Sequence, residues 1–321
     1  MNIKLKKALP ALSLISALFW GLSYPLVKMN QTAFGASDIP SLMLIAGIRF
    51  IISGGIIAVW NLFRHRKNPA IPAYPGRGSI WHVLILALTM TAVHYLFMYM
   101  GLGICTGSKS SIIKQTSVLI VIFLSGLFFP EDRLNLPKVA GCLLGFAGVV
   151  VCSMPLSDFD FVPAGDIPIF LAAVSVAAGD LYSKRATRSI DPIFLSGWQQ
   201  LAGGIILTAA GLIAGAAGGK LPKLTVTPRA VGVLLAVCGA SIVAYTLYMV
   251  LTKYCDLSKL SMFKLTIPVF SVLTSGFLLG EDMTKPQYWA SILLVSAGVV
   301  IANLSIRHPA ATPEPASADK G

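Results

Sequence analysis

Residues 105–132 read CTGSKSSIIKQTSVLIVIFLSGLFFPED, and residues 255–282 read CDLSKLSMFKLTIPVFSVLTSGFLLGED. The second string is a divergent copy of the first, 150 positions later. The match extends without a gap over 81–153 and 231–303, with 21 identities in 73 positions. Apolar identities mean little here, but the polar ones are harder to dismiss. They include Tyr95/Tyr245, Cys105/Cys255, Ser108-Lys109/Ser258-Lys259, Ser111/Ser261, Lys114/Lys264 and Glu131-Asp132/Glu281-Asp282. An internal repeat constrains architecture before any local reading does.

The repeated unit is apolar. Hydrophobic residues make up 55 % of the 321 and charged residues only 12 %, against about 25 % charged in a soluble domain. Mean hydropathy is +0.78. This is the composition of a multi-pass membrane protein. Ten segments of roughly 20 apolar residues, the length a bilayer demands, run near 8–29, 40–63, 80–103, 109–129, 137–154, 166–184, 192–218, 229–251, 260–279 and 286–306. The first reads as an uncleaved helix, because its apolar run is longer than that of a signal peptide. Two units follow, 1–155 and 160–306, with an Ala/Pro-rich tail over 307–321 expected to be disordered.

The net charge of +12 does not point to nucleic acid, because most lysines and arginines sit in short connections. Assigned alternately, the side holding the N-terminus receives 16 and the other side 5, with Lys28, Arg49, Lys114 and Lys264 inside segments. Positive charge marks the cytoplasm, so both termini are expected there, in a cell inner (plasma) membrane. Five segments per repeat is an odd number, so the second copy enters from the opposite face. The expected fold is all-α, ten transmembrane helices in two inverted five-helix repeats. Such architectures bind substrate near the midplane and rock one half against the other.

The chain resembles a known family at this point. Trp20-Gly21, Arg49-Phe50, the two Ser-Gly-x-x-x-x-Glu-Asp strings and the Ala-Gly-Val-Val strings of segments 5 and 10 are similar to those of EamA-type members of the drug/metabolite transporter superfamily. The resemblance spans about 8–306. It implies a ten-helix carrier of small metabolites. It does not choose among amino acids, nucleotide sugars and sugar phosphates, which that superfamily moves on one scaffold.

Lys114 and Lys264 carry the sharpest chemical signal. Each lies about five residues inside its segment, where a lysine costs on the order of 2.5–3.5 kcal/mol by insertion scales. Each shares a helical stripe with serines: Ser110 and Ser117 with Lys114, and Ser261, Ser271 and Ser275 with Lys264. In proteins of the resembling family this position often holds Asn or a small residue, so the lysines point to an anionic or amino-acid-like substrate. The alternative is that they snorkel to the headgroups, as Lys109 and Lys259 at the segment starts are expected to do. Tyr95 and Tyr245, with Trp20 and Tyr24, add aromatic hydrogen-bonding surface to a central cavity. Arg49 is a further anion-binding candidate, although a bridge between helices is the plainer role.

Asp180 and His94 are coupling candidates. The plainer reading of Asp180 is an ion pair with Lys184 at i,i+4, and that of His94 an interhelical hydrogen bond. Pro25 and Pro268 interrupt segments 1 and 9. Gly141, Gly145 and Gly148 follow small-xxx-small spacing, which allows close helix packing or a homodimer. The five cysteines show no disulfide or metal-ligand pattern, and no catalytic residues or cofactor motif are found. The expected function is therefore a secondary transporter, exporter or exchanger, of a small organic metabolite. A non-transporting scaffold or a channel-like permease remains the alternative, and a membrane enzyme lacks its acids and bases.

Overall fold

A computed structural model describes residues 3–105, 107–153, 161–219, 221–280 and 284–303. The Glu281-Asp282 string and the 307–321 tail lie outside them. The described residues form ten apolar helices: α1 (Ile3–Phe34), α2 (Ile39–Lys67), α3 (Ile80–Leu102), α4 (Gly107–Phe128), α5 (Leu136–Cys152), α6 (Pro163–Ser189), α7 (Pro192–Ala217), α8 (Pro228–Tyr254), α9 (Leu257–Leu279) and α10 (Pro286–Asn303). Eight are long and apolar enough to cross a membrane, and α5 and α10 are shorter.

Four helix starts share one local device. A polar side chain accepts a backbone N–H of the first turn, and a proline follows where no N–H is needed. Asp38 accepts from Ser41, Asn135 from Lys138, Asp191 from Phe194 and Thr227 from Ala230. Partial burial alone would raise the Asp191 carboxyl. Hydrogen bonds from Arg64 and from Phe194 N–H outweigh that and hold it below the usual carboxylate range.

Several expected boundaries shift: α1 continues to Phe34, α6 to Ser189, and α9 begins at Leu257. Within α3, Ala87–Ala92 is π-helical. In α9, Lys264–Thr266 tightens into a 3-10 turn just before Pro268. Proline has no N–H to offer the carbonyl four residues back, and that carbonyl, on Lys264, accepts the Ile267 N–H of the 3-10 turn and also Gln115 Nε2 of α4, at 3.3 Å.

Packing pairs the two halves. Helix α2 lies on α7, α5 on α10, α1 against α8 and α9, and α6 against α3 and α4. Exchanging each helix for the one five places later reproduces this pattern. The α2–α7 pair is antiparallel, since Gly47 faces Thr208 and Gly204 while Gly54 faces Leu201 and Gly197. The α5–α10 pair is antiparallel too, with Gly141 against Gly298 and Ala302 and Gly148 against Val295 and Leu294. A Cβ at Gly54 would meet the Leu201 nitrogen at 2.3 Å, and one at Gly141 the Gly298 oxygen at 2.4 Å. Backbone touches backbone at both crossings, which only small residues permit. The glycine stripe of α5 is thus used within the chain.

Candidate functional site

A cavity of about 570 Å3 opens between the two halves. Its lining comes from the C-terminal parts of α1, α3, α5 and α9 and the N-terminal parts of α4 and α10, with Arg49 from mid-α2. It therefore faces one end of the bundle, the end opposite the N-terminus of α1. Three cations line it, Lys28, Arg49 and Lys114, and no carboxylate does so among the described residues. Aromatic and hydroxyl groups complete the wall, among them Trp20, Tyr24, Tyr95, Tyr99, Ser111, Ser271 and Ser275.

Lys114 Nζ donates to the Tyr24 hydroxyl at 2.8 Å and lies 5.2 Å from that ring's centre. A hydrogen-bonded ammonium beside an aromatic face keeps much of its charge available to a ligand. Arg49 is more tightly held. Its Nε donates to Ser241 Oγ of α8 at 2.8 Å, and its guanidinium stands 4.6 Å from the Phe50 ring centre. It bridges helices, as the plainer reading expected, and borders the cavity as well.

The repeat-related tyrosines meet at the centre, with the hydroxyl oxygens of Tyr95 and Tyr245 3.5 Å apart. Trp20 packs on Tyr245 at 4.3 Å between ring centres, and Phe50 on Tyr95 at 4.9 Å. Tyr95 and Trp20 border the cavity; Tyr245, 2 % exposed, lies behind them. Ser117 is buried and is not among the lining residues.

Lys264 does not line the cavity either. Its ammonium is 2.5 Å from Asp180 Oδ2 and 4.1 Å from the Tyr248 ring centre. This corrects the expected pairing of Asp180 with Lys184. Lys184 Nζ donates instead to the carbonyls of Thr252 and Cys255 at the end of α8, at 3.0 and 2.6 Å. Helical spacing brought Lys184 close along one helix, but packing of α6 against α9 offered Asp180 a buried partner. His94 Nδ1 lies 3.0 Å from the Ala172 carbonyl of α6, an interhelical contact.

The end of the bundle opposite the cavity is laced with ion pairs. Asp132, fully buried, accepts from Lys138 Nζ at 2.7 Å and from the backbone N–H of Ser258 at 2.8 Å. It also takes the Ser258 hydroxyl. Glu131 pairs with Arg188, and Arg64 with Asp191 at 2.7 Å. At the other end, where the cavity opens, Lys109 departs from its expected place as a headgroup anchor. It is 7 % exposed and pairs with Asp166 at 2.7 Å, while Lys259 pairs with Asp256 at 3.0 Å. The cysteines are free thiols, and no His/Cys/Asp/Glu cluster among the described residues suits a metal.

Sequence reasoning did not name Lys28, Gln31, Gln115 or Tyr288 as site residues. Lys28, one helical turn beyond Tyr24 on the same face, was the available signal.

Comparison with known proteins agrees with this architecture. The model of the EamA-like transporter family matches residues 9–154 and, separately, 163–304. The chain is 27 % identical over 313 residues to the uncharacterized inner membrane transporter YedA of Escherichia coli (strain K12), covering 93 % of this chain and 92 % of that one. It is 28 % identical over 291 residues to the uncharacterized transporter YvbV of Bacillus subtilis (strain 168), with 89 % and 88 % covered. A solved crystal structure superposes with a TM-score of 0.73 at 20 % identity, over 92 % of this chain and 98 % of the other; that likeness concerns the fold.

Proposed function

The chain belongs to the EamA-like transporter family, and from that premise we propose that it is a secondary carrier of a small anionic organic solute. It works by alternating access, as an exporter or exchanger. The observation that carries the anionic reading is the cavity charge: Lys28, Arg49 and Lys114 border one space that no described carboxylate enters. Like charges in a low-dielectric cavity repel one another, and an anion between them relieves that repulsion while pairing with each. A neutral solute gains no such relief.

The family match in two separate halves supports a duplicated fold of two five-helix units. Opposed directions within the α2–α7 and α5–α10 pairs support inversion of the second unit. With the cytoplasmic side taken as the lysine- and arginine-rich one, the cavity opens outward and the ion-paired end seals the cytoplasmic face of an inner-membrane protein.

Lys114→Met keeps the apolar stem and removes the charge. Titration of the purified protein with carboxylate and phosphate ligands, followed by thermal shift, is expected to show at least a tenfold loss of affinity, about 1.4 kcal/mol. The variant should melt near wild type without ligand. Unchanged anion binding would remove the anionic reading and leave the carrier. Saturable counterflow in proteoliposomes then separates a carrier from a channel or scaffold, which show none.

Topology has its own test. In a background retaining only Cys105 or only Cys255, an impermeant thiol reagent outside whole cells is expected to reach Cys105 and spare Cys255. Burial pushes both thiols up to about 11, so neither is a ready thiolate near neutral pH, and labelling of each after unfolding gives the reference against which side is read. Equal labelling of the two contradicts inversion. A reporter active only in the periplasm, fused after residue 306, should be silent.

A further inference from the structure

Lys264 is the repeat mate of Lys114, yet the two stand in different circumstances. Lys114 borders open space, whereas Lys264 lies behind Trp20 and Ile267, which border both the large cavity and a void of about 10 Å3. Ser16, Tyr248 and Lys264 also line that void. About 10–15 Å3 holds a single water, so no organic anion fits there in this conformation.

The surroundings of Lys264 are not those of a finished structural ion pair. Buried polar groups are ordinarily hydrogen-bonded, and each exception asks for a reason. Four groups around Lys264 and the small void fall short of that: Asp180 Oδ1, the Tyr248 hydroxyl, Ser261 Oγ and Trp20 Nε1 are buried with no hydrogen bond of good geometry. The Tyr248 hydroxyl has the side chains of Asp180, Ser261 and Thr252 within reach, and its single proton cannot serve all three. Asp180, Tyr248 and Ser261 are each 2 % exposed or less. Three of the four groups can donate, alongside the Lys264 ammonium, and donors around a cation are what an anion requires.

The backbone beneath Lys264 is a place where a helix can give. The 3-10 turn Lys264–Thr266 joins the two parts of α9, and the Lys264 carbonyl accepts both the Ile267 N–H of that turn and the side chain of Gln115, a residue of the open cavity. A change around Gln115 thus bears directly on the turn that carries Lys264.

We propose that Lys264, Tyr248, Ser261 and Trp20 form a second, occluded anion subsite, and that Asp180 is a tethered anion which fills it when no substrate is present. The inference rests on the anionic-carrier reading. An anionic substrate that enters at Lys114 displaces the Asp180 carboxylate from Lys264 as the second half opens. The empty carrier keeps Lys264 neutralised by its own chain, so it need not hold an unpaired buried ammonium.

The test titrates wild type, Asp180→Asn, Lys114→Met and the double variant Asp180→Asn/Lys264→Met with inorganic phosphate and with pyruvate. Ionic strength is held constant with chloride, and thermal shift and calorimetry are the readouts. Removing the tethered competitor is expected to tighten binding of at least one anion tenfold or more in Asp180→Asn, and the double variant should lose that gain. Asp180→Ser serves the same purpose if the Asn form does not fold. An Asp180→Asn protein no tighter than wild type overturns the tethered anion. So does a gain that persists without Lys264. If in the first case wild type binds and Lys114→Met does not, the carrier reading stands. Absence of binding by all four proteins overturns both.

Discussion

Lys264→Met is expected to destabilise the protein by about 3–5 kcal/mol, the cost of breaking a buried ion pair by removing one partner. Asp180 is 1 % exposed, its Oδ2 is held by Lys264, and the Tyr248 hydroxyl is its other side-chain neighbour. Met fills the space of the lysine stem but leaves a carboxylate with no counter-charge. That carboxylate must then take up a proton or draw water into the α6–α9 contact, and either response costs free energy. The double variant Asp180→Asn/Lys264→Met removes both charges and should recover most of the loss, because replacing a whole buried pair is often near neutral. Thermal and denaturant unfolding in detergent measure both. A single variant as stable as wild type shows that water already reaches Asp180, and refutes the buried pair.

Asp132→Ala should have an effect of the same order, about 3–5 kcal/mol, for a different structural reason. Asp132 lies in the connection between α4 and α5, accepts the N–H and hydroxyl of Ser258 at the start of α9, and holds Lys138. Truncation strands the Lys138 ammonium at 4 % exposure and strips a cap from α9, a further loss on the order of 1 kcal/mol. Adding Lys138→Met to Asp132→Ala should return the ionic part and not the cap. Because this tie lies at the end opposite the cavity, Asp132→Ala is also expected to make Cys255 more reactive to a permeant thiol reagent. An unfolding midpoint unmoved by Asp132→Ala would show that Ser258 and Lys138 are satisfied without it.

Segment lengths and charge bias were readable because both are local properties of the chain. A bilayer selects runs of roughly 20 apolar residues, and capping side chains mark where four of the helices begin. The π stretch of α3 and the extension of α1 to Phe34 were not readable, since hydropathy does not distinguish hydrogen-bond patterns within an apolar helix. The repeat singled out Lys114, Lys264, Tyr95 and Tyr245, and the structure brings the tyrosines together. It separates the lysines by circumstance, one at an open wall and one against Asp180.

What the sequence by itself determined is the class of object: a membrane helix bundle, duplicated, with lysines at equivalent positions of the two copies. These follow from composition, periodicity and self-similarity, which need no knowledge of neighbours. Only the tertiary structure decided which charge meets which. Asp180 has Lys184 one turn away on α6 and takes Lys264 from α9; Lys109 stands at a segment start yet turns inward to Asp166. The physical reason is that a buried charge is worth most to a partner that is also buried, and burial is set by how helices far apart in sequence pack together. Repeat symmetry makes the two halves alike in sequence, but one asymmetric packing opens a cavity at one end and ties the other with ion pairs, so equivalent residues come to stand in different environments.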